Sequence, residues 1–165
     1  MIVDTIRQKC EKGIILDLRK DFDKRLMSPE DAFGLFYDSA TFSKTFSFWP
    51  FASFKTDTDT VEVGSIVTLS FTFPPFRYQV VITDVKTNSL IRGTLTSGVS
   101  GELVIRVKEQ DGIVTLTKVI HVKCPSAAKH LNAFLSCYYQ HVPFMNARIN
   151  KYMKQRNLRR QVNEG

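Results

Sequence analysis

The chain has 165 residues, of which 43% are hydrophobic and 24% are charged, and its formal net charge is +7. This composition fits one globular domain and excludes a disordered or collagen-like chain. No apolar run approaches the roughly 18 residues of a membrane-spanning helix, and the charged N-terminal segment lacks the apolar stretch of a signal peptide. We therefore expect a single cytoplasmic domain over residues 1–165, with its core at about 13–155.

Residues 14–26 form the first clear pattern along the chain. The even positions are mostly apolar, whereas the odd positions from 17 to 25 are all charged. A period of two predicts a strand with one buried face. Lys20 and Lys24 fall on the apolar face, so either a bulge shifts the register or these lysines point toward a polar group.

Two short helices are predicted after this strand. The segment from Ser28 to Asp31 contains a typical N-cap, a proline at the first helical position and an acidic residue at the capping-box position. Phe42 and Phe46 lie one turn apart and indicate a second helix around residues 39–46.

Six further strands are predicted between residues 53 and 123. Turn residues separate them at regular intervals, and Asp111-Gly112 is the strongest hairpin signal. Such spacing is typical of an antiparallel meander. The predicted strands span residues 53–61, 65–73, 77–86, 89–96, 99–108 and 113–123.

A long C-terminal helix is predicted to begin at Pro125. Its apolar residues recur at steps of three and four, which is the pattern of an amphipathic helix. Pro143 lies inside this stripe, where it removes one helical hydrogen bond and is expected to kink the helix. The apolar stripe consists of Leu131, Leu135, Tyr138, Val142, Met145, Ile149 and Tyr152.

These elements predict an α+β fold with a cavity. A sheet of about seven antiparallel strands twists and curls, and the long helix can lie across its concave face. Two curved surfaces need not touch everywhere, so the arrangement favours an apolar cavity between them.

In this arrangement the sequence resembles the helix-grip fold of the START/Bet v 1-like superfamily, which includes polyketide cyclases and lipid-transfer domains. The resemblance rests on SPEDAFGLFYD after the first strand, on VKTN at residues 85–88, on the hairpin IRVKEQDGIVTLT and on the terminal helix. It implies a curved antiparallel sheet wrapped around the C-terminal helix and a hydrophobic pocket under that helix. Some members are enzymes, and many only bind or carry lipids and other apolar ligands.

We therefore expect a noncatalytic carrier or sensor that holds a lipid, isoprenoid or polyketide-like compound in this cavity and needs no cofactor. The segment from Phe73 to Phe76 is expected to form an apolar loop tip that gates the entrance or touches a membrane. The predicted ligand-binding residues are Trp49, Phe73, Phe76, Tyr78, Val80, Ile82, Leu95, Leu135, Tyr138 and Val142.

A cyclase- or dehydratase-type enzyme using the same cavity is the alternative. The sequence contains no P-loop, no dinucleotide fingerprint and no His-Glu-x-x-His motif. The polar candidates for such an enzyme are His121, Lys20 and Tyr78, and we expect His121 to face solvent. Cys137 and His141 are one helical turn apart, but two ligands do not make a closed metal site, so we expect a half-exposed helix flank and no metal.

The positive charge is concentrated near the C-terminus, where six basic residues follow position 147 against one acidic residue. A solvated helix end accounts for this pattern, because basic side chains are favourable next to the negative end of the helix dipole. Docking to an anionic membrane surface or partner is the alternative. We do not predict nucleic-acid binding, because such domains spread basic residues over a folded face. The six residues are Arg148, Lys151, Lys154, Arg156, Arg159 and Arg160, and the basic tail spans about 156–165.

The cysteines agree with a reducing compartment. Cys10, Cys124 and Cys137 are odd in number and form no Cys-x-x-Cys pair. Such a set favours free thiols over a disulfide framework, as is typical of cytosolic proteins.

Overall fold

The structure is a computed structural model that describes residues 3–10, 13–123 and 128–164, with side chains over 13–123 and 131–164. Within these residues, eight strands form one antiparallel sheet and three helices pack on it. The strands are β1 (Val3–Cys10), β2 (Gly13–Asp23), β3 (Ala52–Thr56), β4 (Ile66–Thr72), β5 (Pro75–Lys86), β6 (Leu90–Ser97), β7 (Ser100–Gln110) and β8 (Ile113–Lys123). The helices are α1 (Pro29–Tyr37), α2 (Ser39–Phe46) and α3 (Ala128–Glu164).

The strand order is β1-β2-β8-β7-β6-β5-β4-β3, so β2 pairs with the last strand of the meander. This pairing brings the two short helices, which follow β2, over the same sheet as the long C-terminal helix. The seven strands and three helices that the sequence predicted are confirmed. The strand β1 was not predicted, and it pairs with β2 along the edge of the sheet.

Lys20 lies on the buried face of β2 without any bulge, since β2 pairs in one continuous register with β1 and β8. Its side chain is 1% exposed and donates hydrogen bonds to the backbone oxygen of Asn146 at 3.3 Å and to Oδ1 of Asn150 at 3.1 Å. The prediction that Lys20 points toward a polar group is therefore correct. The polar atoms that it reaches are the two oxygens of Asn146 and Asn150 on α3. Lys24 lies beyond the strand and forms an exposed ion pair with Glu109.

The pairing of β5 with β6 is irregular. The register shifts twice along this pair, as β-bulges do when they bend a strand. Gly93 on β6 is buried on the concave face, and a Cβ at this position would lie 2.4 Å from Cγ1 of Val80. A glycine is needed here because the neighbouring strand approaches too closely for a side chain.

The two short helices begin as their sequences predict. Ser28 Oγ accepts a hydrogen bond from the backbone nitrogen of Asp31 at 3.1 Å, and Pro29 occupies the first helical position of α1. Asp38 caps α2 in the same way by accepting from the nitrogen of Thr41 at 2.7 Å. The helices place Phe42 and other aromatic side chains over the sheet, where they pack against one another.

The helix α3 runs unbroken through Pro143, and its predicted apolar stripe is buried or half-buried. The predicted start at Pro125 lies outside the described residues. No helix among the described residues is long and apolar enough to cross a membrane.

The basic tail is not a free extension, because α3 continues to Glu164. Arg156 and Arg160 both form ion pairs with Asp31 of α1, and the Nη2 of Arg160 lies 2.7 Å from Oδ2 of Asp31. The side chain of Asp31 is only 4% exposed, whereas those of the two arginines are 42% exposed. The sequence left these two arginines to a solvated helix end or to an anionic surface, whereas the structure pairs both with a buried carboxylate of the same chain.

Candidate functional site

An apolar cavity lies between the concave face of the sheet and the three helices. Its volume is about 40 Å³. The sheet contributes aliphatic side chains from β4 to β8, and α2 contributes Phe42 and Phe46. The helix α3 contributes Met145 to the cavity wall, and Lys118 of β8 is a charged residue in this otherwise uncharged lining. The remaining lining residues are Phe36, Phe54, Val61, Val67, Leu69, Tyr78, Val80, Ile82, Ile91, Leu95, Leu103, Ile105 and Ile120.

A second, smaller space of about 10 Å³ adjoins this cavity and is more polar. The two spaces share Lys118, Tyr78 and Met145 among their lining residues. Tyr138 and His141 of α3 line only the smaller space. The arrangement is an apolar chamber with a polar end, and we refer to Lys118, Tyr138 and His141 together as the polar cluster.

Burial shifts the titration of this polar cluster. Loss of hydration lowers the pKa of Lys118 to about 8. Burial and the nearby Lys118 charge lower the pKa of His141 to about 3, so its imidazole is neutral at pH 7. Burial also raises the pKa of Tyr138 far above its usual value, and Tyr138 Oη and His141 Nε2 are buried without a hydrogen-bond partner.

Four of the ten residues predicted to bind ligand line the apolar cavity, and a fifth, Tyr138, lines the adjoining space. The four are Tyr78, Val80, Ile82 and Leu95. Three others are buried nearby without lining either space. Phe76 packs edge-on against Phe134 at 6.0 Å between ring centroids, and Leu135 and Val142 lie on the buried face of α3.

Trp49 and Phe73, the other two predicted residues, lie on the surface. They are 88% and 67% exposed because they occupy the α2–β3 and β4–β5 connections at one end of the sheet. Phe48 and Phe51 are also exposed beside them, and the Phe51 and Phe73 rings lie 6.2 Å apart. We call Phe48, Trp49, Phe51 and Phe73 the aromatic patch.

The aromatic patch adjoins a basic groove between α2 and α3. Phe48 stacks on Phe144 at 4.5 Å, and the guanidinium of Arg148 lies 4.9 Å from the Phe144 ring. Arg148 also lines the groove, which has a volume of about 200 Å³. The other groove residues are Thr41, Lys44, Thr45, Lys151, Tyr152, Gln155, Arg156 and Arg159.

The three polar candidates for an enzyme do not form one site. Lys20 binds α3 through Asn150, and Tyr78 packs against Phe134 at 5.2 Å between ring centroids. His121 is half-buried on the face of β8 opposite to Lys118, since strand positions three apart point to opposite sides. In the described residues, no group of three His, Cys, Asp or Glu side chains is placed to hold a metal ion.

The expectation of a half-exposed helix flank at Cys137 and His141 is wrong. Cys137 is 2% exposed, and the His141 ring stacks on Phe54 at 4.8 Å between centroids. These side chains are buried because the concave sheet surrounds a wider arc of α3 than one apolar stripe.

Lys118 is the charged site residue that the sequence reasoning missed. The alternation along β8 places it on the same face as Val114, Leu116, Ile120 and Val122. The sequence could have indicated this residue, because Lys118 is the single charged residue on a strand face that is otherwise apolar.

No protein-family model and no curated protein matches the chain. Solved structures do match, among them Ms6760 from Mycobacterium smegmatis at 12% identity and a TM-score of 0.67, covering 93% of this chain and 99% of that one. CalU16 from Micromonospora echinospora matches at 10% identity and a TM-score of 0.55, covering 94% of each chain. Aha1 from Colwellia psychrerythraea, solved as a dimer, matches at 10% identity and a TM-score of 0.58, covering 81% of this chain and 91% of that one. The protein has the helix-grip fold, as the sequence resemblance predicted.

Proposed function

We propose that the protein binds an apolar small molecule, such as a lipid, an isoprenoid or a polyketide-like compound, as a noncatalytic carrier or sensor. The main support is a cavity with apolar walls between the sheet and the helices. Protein interiors are normally close-packed, and side chains around a void lose dispersion contacts. An apolar ligand restores these contacts and removes its own surface from water. The free buried thiol of Cys137 supports the cytoplasm as the proposed location.

The cavity must widen to accept such a ligand. Its volume of about 40 Å³ is far below the roughly 300–1,000 Å³ of typical ligand pockets. Pro143 has no N–H to donate to the helix, so α3 lacks one backbone hydrogen bond two residues before Met145, which lines the cavity. We propose that α3 bends at this point when a ligand enters.

Native mass spectrometry of the purified protein, followed by organic extraction, tests the proposed function. The expected result is a protein complex whose additional mass is released by organic solvent as an apolar compound. A bare protein mass that persists after separate incubations with excess octan-1-ol, octanoate, 2-naphthylmethanol and 2-naphthoate would contradict the proposal.

Leu95→Phe is expected to weaken ligand binding about tenfold or more without unfolding the protein. Leu95 is 2% exposed on the cavity wall, and a phenyl ring there occupies the space that a ligand needs. Leu26→Phe, in the exposed segment after β2, is the matched control. Calorimetric titration with octan-1-ol measures affinity and thermal unfolding measures stability. Equal affinity in the two variants would show that the ligand binds elsewhere.

We also propose, as a second function, that the protein docks on an anionic membrane surface. The aromatic patch supports it, because exposed tryptophan and phenylalanine side chains insert at membrane interfaces. The adjoining basic residues Arg148, Lys151 and Lys44 complement anionic lipid headgroups. The basic contribution thus comes from the groove beside the patch, since Arg156 and Arg160 are paired with Asp31.

Arg148→Glu/Lys151→Glu is expected to abolish co-sedimentation with vesicles that contain phosphatidylserine in phosphatidylcholine. The change reverses the charge next to the aromatic patch, and high salt should weaken the wild-type interaction because it screens charge. Trp49→Ala/Phe73→Ala should also reduce binding, because it removes the inserting side chains.

Lys86→Glu/Lys108→Glu is the control for this membrane test, since it makes the same change in net charge at exposed positions of β5 and β7. This control should still bind the vesicles. Equal loss in both charge variants would mean that only net charge matters, and it would contradict a defined docking surface.

A further inference from the structure

Lys118 is the part of the cavity that a purely apolar ligand does not explain. Its side chain is buried at the junction of the two spaces. Its Nζ lies 4.0 Å from Sδ of Met145 and 5.9 Å from the centroid of the Tyr138 ring. Over the described residues, no carboxylate forms an ion pair with this ammonium. A thioether is a weak hydrogen-bond acceptor, so the buried charge lacks a counter-ion among the side chains that the structure describes.

Two further polar atoms lie around the same small space. Tyr138 Oη and His141 Nε2 are buried and make no hydrogen bond. Buried polar atoms are nearly always hydrogen-bonded, and each orphaned one costs free energy. Three polar groups from β8 and α3 thus surround one point at the end of an apolar chamber. This is the arrangement of a site for the polar end of an elongated ligand.

We propose that the ligand is an apolar carboxylic acid whose carboxylate pairs with Lys118 and accepts a hydrogen bond from Tyr138. Its hydrocarbon part then occupies the apolar cavity. This inference rests on the proposed carrier or sensor function and names the ligand class for that site.

The charge balance favours a carboxylate over other head groups. One ammonium neutralises one negative charge, whereas a doubly charged phosphate in this apolar surrounding would keep an uncompensated charge. An alcohol or one water molecule accepts a hydrogen bond but supplies no counter-charge. Lys118 remains mostly protonated at pH 7 because its pKa is lowered only to about 8.

Lys20 provides a matched comparison, since it is also a buried lysine. Its ammonium already donates to Asn146 and Asn150 of α3, so it needs no ligand. Lys118 and Lys20 therefore allow the same Lys→Met change to be made at a ligand position and at a structural position.

Calorimetric titration with two matched pairs at pH 7 tests the proposal. The pairs are octanoate with octan-1-ol, and 2-naphthoate with 2-naphthylmethanol. Wild type should bind at least one carboxylate about tenfold or more tightly than its alcohol. Lys118→Met should lose this preference and still bind the alcohol, whereas Lys20→Met should keep the preference. The thermal midpoint of Lys118→Met should be at least that of wild type, because methionine replaces an uncompensated charge at similar volume.

A proton measurement gives an independent readout. At pH 8 a substantial fraction of Lys118 is neutral, and a bound carboxylate raises its pKa, so binding should take up a fraction of a proton. Titrations in buffers of different ionisation enthalpy measure this uptake, which should vanish in Lys118→Met.

These titrations distinguish failure of the carboxylate inference from failure of the proposed function. Equal binding of acid and alcohol by wild type, or a preference that survives in Lys118→Met, overturns the carboxylate inference and leaves the apolar-ligand function standing. Loss of the preference in Lys20→Met alone places the carboxylate elsewhere and also overturns it. If no member of either pair binds, the proposed function itself fails.

Discussion

Arg156→Met/Arg160→Met is expected to lower the free energy of unfolding by about 3–5 kcal/mol at neutral pH. The reason is that the double variant leaves the buried carboxylate of Asp31 without either of its partners. A buried ion pair adds little when complete, but removing one side leaves an uncompensated charge, and this costs several kcal/mol. Chemical denaturation at pH 7 measures the loss.

Two comparisons separate this effect from a general change of charge. Lys151→Met/Lys154→Met removes the same charge from exposed positions of α3 and should change stability by no more than about 1 kcal/mol. Adding Asp31→Asn to the arginine double variant should recover much of the loss, because the stranded charge is then gone. If the arginine and lysine double variants are equally stable, the ion pairs do not hold the end of α3 to α1.

This ion-pair cluster illustrates what the sequence does not contain. Arg156 and Arg160 form an i, i+4 pair in a basic segment, and local pattern alone assigns them to solvent or to an anionic surface. Asp31 has an equally local explanation as the acidic residue of a capping box. Only the tertiary fold, which brings the C-terminal part of α3 beside Asp31, joins the three residues, over 125 residues of sequence from Asp31 to Arg156.

The meander was predictable because each of its strands has a local signature. Alternating side chains and turn residues such as Asp111-Gly112 define the strands and hairpins without reference to the rest of the fold. The strand β1 lacks this signature, since apolar and polar residues do not alternate along its sequence. An edge strand needs no fully apolar face, so its pairing with β2 is a tertiary property.

The sequence predicted an apolar cavity between the sheet and the long helix, but it did not identify all the residues that line this cavity. Strand alternation identifies Val80, Ile82 and Leu95 as inward-facing. It gives no information on how α1 and α2 lie over the sheet, so the contributions of Phe42 and Phe46 depend on the tertiary structure. The sequence indicated only that these two residues lie one turn apart on a short helix.

His141→Phe is expected to remove about 3 kcal/mol of the stability that wild type loses between pH 7 and pH 4. The imidazole is neutral in the folded protein down to a pKa of about 3, because burial and the Lys118 ammonium disfavour its protonation. In the unfolded chain it takes up a proton near its usual pKa of about 6.5. Below that value the unfolded state binds more protons, so stability falls with pH until the folded pKa is reached.

The protonation states of the groups around His141 determine how the pH dependence of stability is interpreted. Lys118 on β8 stays charged throughout this range, and Tyr78 on β5 and Tyr138 on α3 stay neutral because burial raises their pKa values. Phenylalanine keeps the ring that stacks on Phe54, so His141→Phe removes the titration without opening a void. Tyr138→Phe is the control in the same cluster, and its pH dependence should match that of wild type. Parallel stability curves for wild type and His141→Phe between pH 7 and pH 4 would show that His141 is not held neutral in the folded protein, and that the polar end of the cavity is open to water.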